Sequence, residues 1–274
     1  MGEKAKGTLM IIGGAEDKTG ECKILKAFVE AAGSINSKIA VLTTASEQQD
    51  AGNAYIDVFK KLGVKEMQIL RVNTRVDAEA DNIIETLENS TGIFFTGGDQ
   101  LRITSILGGT RTFRQLHASY HKGTIIAGTS AGASAMTSVM IVDGNSNDAA
   151  RKCTLKMAPG LGLLEEVIID QHFHQRGRIG RLLAGVSANP QILGIGIDED
   201  TAVLVHPDAS FEVIGTNSVT IADGKAIESS NVSELKPDEI LAISNIILHV
   251  LPQGYGYDMK SRQVLRLKKL EGNQ

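Results

Sequence analysis

Ser130 sits in "GTIIAGTSAGASAM", Gly123 to Met136, among small residues and directly after a short apolar run. Thr124, Ile125, Ile126 and Ala127 are apolar or β-branched without alternation, the composition of an interior strand. Ser130 to Met136 reads as the small-residue start of a helix, and Gly128-Thr129-Ser130-Ala131-Gly132 fits G-x-S-x-G. Between a strand and a helix, that pattern makes a nucleophile elbow: the glycines leave room for a strained turn that lifts the serine oxygen clear of the sheet. Serine is also a good helix N-cap. The motif alone leaves a cap and a nucleophile open, and the serine's partners must decide.

A serine nucleophile needs a base within hydrogen-bond reach, and the base needs an orienting acid. Of six histidines, His117 and His121 ride one helix face at the surface, His206 lies in a turn before Pro207, and His249 sits in an apolar run. These four read as structural. The other two lie in "VIIDQHFHQRGRIGRLL", where Val167 to Ile169 reads as a strand and Asp170-Gln171-His172-Phe173-His174 leaves its end as the serine leaves its own. Either His172 or His174 could be the base. Extended residues two apart share a face, so Asp170, His172 and His174 could instead hold a metal ion. The serine elbow favours acyl transfer over that reading.

The acid should also follow a strand, and "LGIGIDEDTAVLV" offers Asp198, Glu199 and Asp200 after Leu193 to Ile197. The resulting chain order, Ser then His then acid, differs from the Ser, acid, His order of α/β-hydrolases and argues against a lipase or esterase. Developing oxyanion charge needs aimed donors, each worth roughly 3 kcal/mol of barrier. "FFTGGDQ" places the backbone N–H of Gly98 or Asp99 at the end of the neighbouring strand, to act with that of Ala131. Arg176, Arg178 and Arg181 cluster beside the base. Guanidinium forks match carboxylates, and cations at a helix start oppose the dipole preference. The cluster therefore predicts a bound anion and a carboxylate-rich substrate.

The elements that must position these residues alternate over the first two-thirds of the chain. Strands are predicted at 8–12, 38–42, 66–70 and 92–95, with helices at 20–32, 54–62, 78–88, 100–107 and 112–121. This is an α/β pattern: a largely parallel sheet with helices on both faces, binding ligands at the carboxyl ends of its strands. After Pro190 the texture becomes β-rich, predicting antiparallel strands at one edge or over the mouth. With no linker in sight, 1–274 reads as a single hydrolytic domain with a β-rich addition from about 191. "GGAEDKTG" lacks the order of a phosphate loop or a dinucleotide fingerprint and reads as a helix-start loop near the mouth.

Hydrophobic residues make up 42% and charged residues 22% of 274 residues, which suits a globular chain and excludes a disordered one. A net charge of −4 gives no reason to expect nucleic-acid or anionic-membrane partners. Cys22 and Cys153 form neither a redox pair nor a zinc spacing, and both read as structural. No apolar run approaches the ~20 residues of a membrane helix, and the N-terminal one is too short for a signal peptide. A cytoplasmic protein is expected.

"FTGGDQ", "AGTSAGAS", "DQHFHQRGRIGRL" and "GIGIDEDTA" together closely resemble the cyanophycinase family, serine peptidases of the group that contains aspartyl dipeptidase. The likeness runs from "IIGGAEDK" to the β-rich end. It implies a class I glutamine-amidotransferase-like α/β fold, a homodimer, and no metal or organic cofactor. The implied substrate is cyanophycin, a polyaspartate backbone carrying arginine on each β-carboxyl group, degraded to β-Asp-Arg dipeptides. Position by position, the resemblance implies Ser130 as nucleophile, His172 as base and Glu199 as third member. It also implies Gln100, Asp170, Gln171, Arg176, Arg178 and Arg181 as substrate contacts. A dipeptidase of the same group, cleaving after an N-terminal Asp, is the alternative; a single carboxylate needs fewer arginines than this cluster supplies.

Overall fold

The computed structural model describes residues 7–144, 146, 148–152 and 155–267. The strand β1 (Leu9–Ile12) is buried at every position, with Leu9 and Ile11 in one apolar layer and Met10 and Ile12 in the other. That two-sided burial is why such strands read as continuous apolar runs. There follow α1 (Lys23–Ala31), β2 (Lys38–Leu42), α2 (Asn53–Lys61), β3 (Glu66–Leu70), α3 (Asp81–Asn89), β4 (Gly92–Phe95), α4 (Gln100–Leu107), α5 (Arg111–Lys122), β5 (Ile125–Thr129) and α6 (Ala131–Ser134). Then come the strands β6 (Val139–Gly144), β7 (Leu155–Pro159) and β8 (Val167–Gln171), and α7 (Ile179–Ala188). The chain closes with β9 (Leu193–Ile197), β10 (Thr201–Val205), β11 (Ser210–Gly215), β12 (Ser218–Asp223), β13 (Ile247–Pro252), β14 (Tyr255–Asp258) and β15 (Gln263–Arg266).

A nine-stranded sheet in the order β15-β14-β11-β10-β1-β5-β4-β2-β3 is parallel from β1 through β3 and antiparallel from β10 outward. The helices α1 and α2 cover one face, where Phe28, Tyr55 and Phe59 close on Phe94 with ring centroids 5.5, 4.6 and 5.6 Å away. The other face meets α3, α4, α5 and α6 and also a second sheet, β13-β12-β9-β8. The helix α7 closes the far side of that second sheet, packing Leu182 and Val186 on Ile168 and Ala222.

Helices therefore do lie on both faces of a largely parallel sheet. The β-rich addition divides in a way its local pattern does not reveal. The strands β10, β11, β14 and β15 extend the main sheet from its edge, while β12 and β13 join β9 and β8 in the second sheet. The helix expected over 130–136 is only the single turn α6, because the chain beyond it leaves to bridge Thr137 to Leu164. The hairpin of β6 and β7 has no counterpart in the sequence reading; its half-exposed residues lack both a clean alternation and a buried run. Cys22 is buried at the start of α1, and Cys153 lies outside the described residues. Among the described residues no helix is long and apolar enough to cross a membrane.

Phe94 touches three aromatic rings at the centre of its layer. Phe94→Ala is expected to lower unfolding free energy by about 3–5 kcal/mol in urea titrations. A loss under 1 kcal/mol would mean that the aromatic layer does not brace the sheet.

Candidate active site

Ser130 follows β5 directly and holds φ 52° and ψ −111°, a conformation that costs a non-glycine residue about 1–3 kcal/mol. Its flanking glycines make the turn possible. A Cβ on Gly128 would lie 2.6 Å from the Gly132 carbonyl carbon, and one on Gly132 would lie 2.8 Å from the Phe95 oxygen. The Ser130 N–H donates to the Ile12 oxygen at 3.0 Å, which anchors the elbow to the end of β1.

His172 leaves β8 with φ 48° and donates its backbone N–H to the Gly13 oxygen at 2.8 Å. Its Nε2 stands 3.0 Å from Ser130 Oγ, and its Nδ1 stands 2.7 Å from Glu199 Oε1. With Nδ1–H donated to Glu199, the Nε2 lone pair is left to accept the serine hydroxyl. The imidazole rests on Gly14, where a Cβ would lie 2.3 Å from its Cε1. Burial lowers the imidazole pKa; the Glu199 hydrogen bond pulls against it, and the Arg176 and Arg178 charges add to the lowering. The ring is thus held as the neutral base near pH 7.

His174 does not share a face with His172. The left-handed turn at His172 sends the chain into a single 3-10 turn, His174–Arg176, in which the His174 side chain is exposed. The extended alternation behind the metal reading is therefore absent. Asp170 commits both oxygens to guanidiniums, and among the described residues no cluster of three or more His, Cys, Asp or Glu side chains is placed to hold a metal. Of the remaining histidines, His117 departs from its expected surface setting: it is half-buried, with Nε2 2.8 Å from the Leu161 oxygen.

The three acids after β9 have three separate partners. Asp198 is buried and accepts the His174 N–H at 3.0 Å and the Ser218 hydroxyl at 2.8 Å. Glu199 reaches His172, while its own backbone is held by Gln175 Oε1 at 3.1 Å and Asn217 Nδ2 at 2.8 Å. Asp200 accepts the Asp17 N–H at 2.8 Å. Asp17 in turn caps the loop that opens α1, accepting backbone N–H groups from Thr19, Gly20 and Cys22, which holds its carboxyl down to about 2. Gln175 and Asn217 escaped the sequence reading, since each meets the acid across 24 or 18 residues with no local signal.

The expected oxyanion donors separate as well. Asp99 gives its N–H to the Ala45 oxygen at 2.9 Å and caps α4 with its carboxylate, so it has no donor to offer. Among the described residues the N–H groups of Gly98 and Ala131 have no protein acceptor. Gly97 lies against the nucleophile, a Cβ on it falling 3.5 Å from the Ser130 Cβ.

Arg178 and Arg181 turn inward, where the chain itself supplies an anion for the cluster. Arg181 makes a bidentate pair with Asp170, its Nε 2.6 Å from Oδ2 and a terminal nitrogen on Oδ1. Arg178 reaches Oδ1 at 3.3 Å and also donates to the Gln171 carbonyl and, at 2.9 Å, to its side-chain oxygen. Burial pushes the Asp170 carboxyl up and the two guanidiniums pull it down; with two cations on it, the group stays a carboxylate. Burial brings Arg178 down to about 10, which leaves it charged at neutral pH. One carboxylate shared by two guanidiniums leaves positive charge over, and Arg178 Nε is buried without a hydrogen-bond partner among the described residues. Gln100 spends its amide on the Ile141 and Val142 carbonyls at 3.0 and 2.9 Å, pinning β6. Of the six expected substrate contacts, Arg176 is the one that is exposed.

With this geometry in view, the comparisons with known proteins are direct. The model of peptidase family S51 matches residues 9–213. A protein named cyanophycinase from Synechococcus elongatus is 42% identical over 261 residues, covering 94% of this chain and 81% of the relative. Another of that name, from Geminocystis herdmanii, is 39% identical over 265 residues, covering 96% and 97%. Among solved structures, a peptidase from an acI-B1 Actinobacterium superposes with a TM-score of 0.67 at 21% identity, covering 94% of this chain and 98% of that one, a likeness of fold.

Three outcomes are expected. The rate at which a serine-directed acylating probe labels Ser130 should rise with pH through a midpoint below 6.5, the ordinary histidine value, because the base must be neutral. Arg176→Gln removes a cation that disfavours the imidazolium and should move that midpoint upward; a fixed midpoint would discard the coupling. Asp170→Asn strands two buried guanidiniums and is expected to cost about 3–5 kcal/mol in denaturant melts, whereas a residue that only touched substrate would leave stability unchanged.

Proposed function

The chain belongs to peptidase family S51, and we propose that it is a serine-type exopeptidase hydrolysing cyanophycin to β-Asp-Arg dipeptides through an acyl-enzyme on Ser130. The hydrogen-bonded line from Ser130 Oγ through His172 to Glu199 carries the reading, at 3.0 and 2.7 Å, in a chain whose relatives over nearly its full length bear the name cyanophycinase. His172 Nε2 takes the hydroxyl proton as Oγ attacks a main-chain aspartyl carbonyl, and Glu199 stabilises the imidazolium that forms. The N–H groups of Gly98 and Ala131 stabilise the tetrahedral oxyanion. Nε2 then protonates the departing amine, and a water activated by the same nitrogen hydrolyses the ester. Arg176, and the positive charge that Asp170 leaves over on Arg178, suit a substrate lined with carboxyl groups. No metal or organic cofactor enters any step, and the whole chain acts as one hydrolytic domain in a cytoplasmic homodimer.

The test is dipeptide release from purified insoluble cyanophycin. Wild type should release β-Asp-Arg with or without chelator, and folded Ser130→Ala should lose at least about 10⁴-fold in rate. No release by folded wild type would overturn the assignment, and cleavage of small Asp-Xaa peptides instead would move the activity to a dipeptidase.

A further inference from the structure

We propose that Glu16 is a positioning residue of this site, tying the nucleophile strand through Thr129, and α2 through Tyr55, to the loop on which the His172 imidazole rests. Glu16 belongs to Gly13-Gly14-Ala15-Glu16, immediately after β1, and its side chain is 1% exposed. Its Oε2 accepts the Thr129 hydroxyl at 2.6 Å, its Oε1 accepts the Tyr55 hydroxyl at 2.7 Å, and Lys18 Nζ pairs with Oε1 at 2.7 Å. A buried carboxylate is costly unless paired and hydrogen-bonded, and here both oxygens are used. Neither Thr129 nor Tyr55 belongs to the catalytic line.

What these bonds hold is a loop the base depends on twice. The Gly13 oxygen accepts the His172 N–H, and Gly14 offers the bare surface under the ring. The same loop meets the residue after the acid, since the Asp200 N–H donates to the Gly14 oxygen at 2.9 Å. Two consecutive residues here are left-handed, Gly14 at φ 103° and Ala15 at φ 48°. Ala15 carries a Cβ, and such a conformation persists only where its surroundings over-determine it. The three bonds to Glu16 supply that constraint one residue later. Thr129 directly precedes Ser130 in the chain, so Glu16 spans nucleophile and base while touching no reacting atom.

The inference rests on the reading of Ser130 and His172 given above, and its test separates the two. Steady-state turnover of cyanophycin is measured beside the labelling rate of Ser130 by phenylmethylsulfonyl fluoride, which needs no substrate recognition. Thr129→Val keeps the strand's shape and removes the hydroxyl. It is expected to lower kcat and the labelling rate on the order of tenfold to a hundredfold, the scale of a misplaced catalytic group, with KM within about twofold. Thr129→Ser restores the hydroxyl and should recover both rates. Tyr55→Phe should lower kcat several-fold with KM unchanged, and it decides the matter if Thr129→Val does not fold. Folded Thr129→Val with wild-type kcat and labelling, or a loss that Thr129→Ser does not rescue, would overturn the proposal. Wild type that labels but leaves cyanophycin intact would count against the substrate assignment instead, with the labelling rates still deciding the role of Glu16.

Discussion

The contact between Ser130 Oγ and His172 Nε2 joins two different sheets. The serine hangs from the end of β5 in the nine-stranded sheet, and the histidine from the end of β8 in the four-stranded one. Nothing covalent sets that distance. It depends on how the sheets dock, and at the rim the His172 N–H crosses from one sheet to the Gly13 oxygen of the other, while Phe173 N–H to the Ile197 oxygen and Asp200 N–H to the Gly14 oxygen extend the β8–β9 and β1–β10 ladders on either side of that bond. Bare glycine at positions 13 and 14 lets those segments approach, since a Cβ on Gly13 would lie 2.1 Å from the Asp198 oxygen. The apolar layer shared by both sheets then makes the approach favourable, and the rim bonds make it specific.

Charge is arranged in two tiers around this seam. Below the surface, Asp170 paired with Arg178 and Arg181, and Glu16 accepting the Thr129 hydroxyl, hold strand ends in place through contacts that would be expensive to break. At the surface, Arg176 stays available to solvent. Burial disfavours the His172 imidazolium, and the charges of exposed Arg176 and buried Arg178 add to that from a distance, while Glu199 favours it. The base is therefore set by a carboxylate it touches, pulling against burial and against cations that it does not touch.

Much of this was legible from residue types and short periods. The ranges 38–42, 66–70, 92–95, 100–107 and 193–197 coincide with β2, β3, β4, α4 and β9, because buried parallel strands and amphipathic helices write their burial into local pattern. The order Ser130, His172, Glu199 followed from strand ends and a family likeness. Less legible was anything decided by distant partners. The backbone turn that parts His172 from His174, and the split of the β-rich addition between two sheets, depend on neighbours far away in the chain. So does the choice of Asp170 over a ligand for Arg181. A guanidinium looks the same in sequence whether it faces a substrate or a buried aspartate.

Because the hydrogen-bonded line from Ser130 through His172 to Glu199 is strung across the docked sheets, it is also a timetable. Ser130 waits 42 residues for its base, and the base another 27 for its acid. The acid's loop is tied further on to Asn217 and Ser218, at the start of β12. A chain emerging from synthesis, or one that has partly come apart, carries a serine with ordinary alcohol reactivity, since long-range pairings form late and are lost together. Assembly of the line therefore coincides with completion of the fold, because its three members are brought together by the last pairings to form.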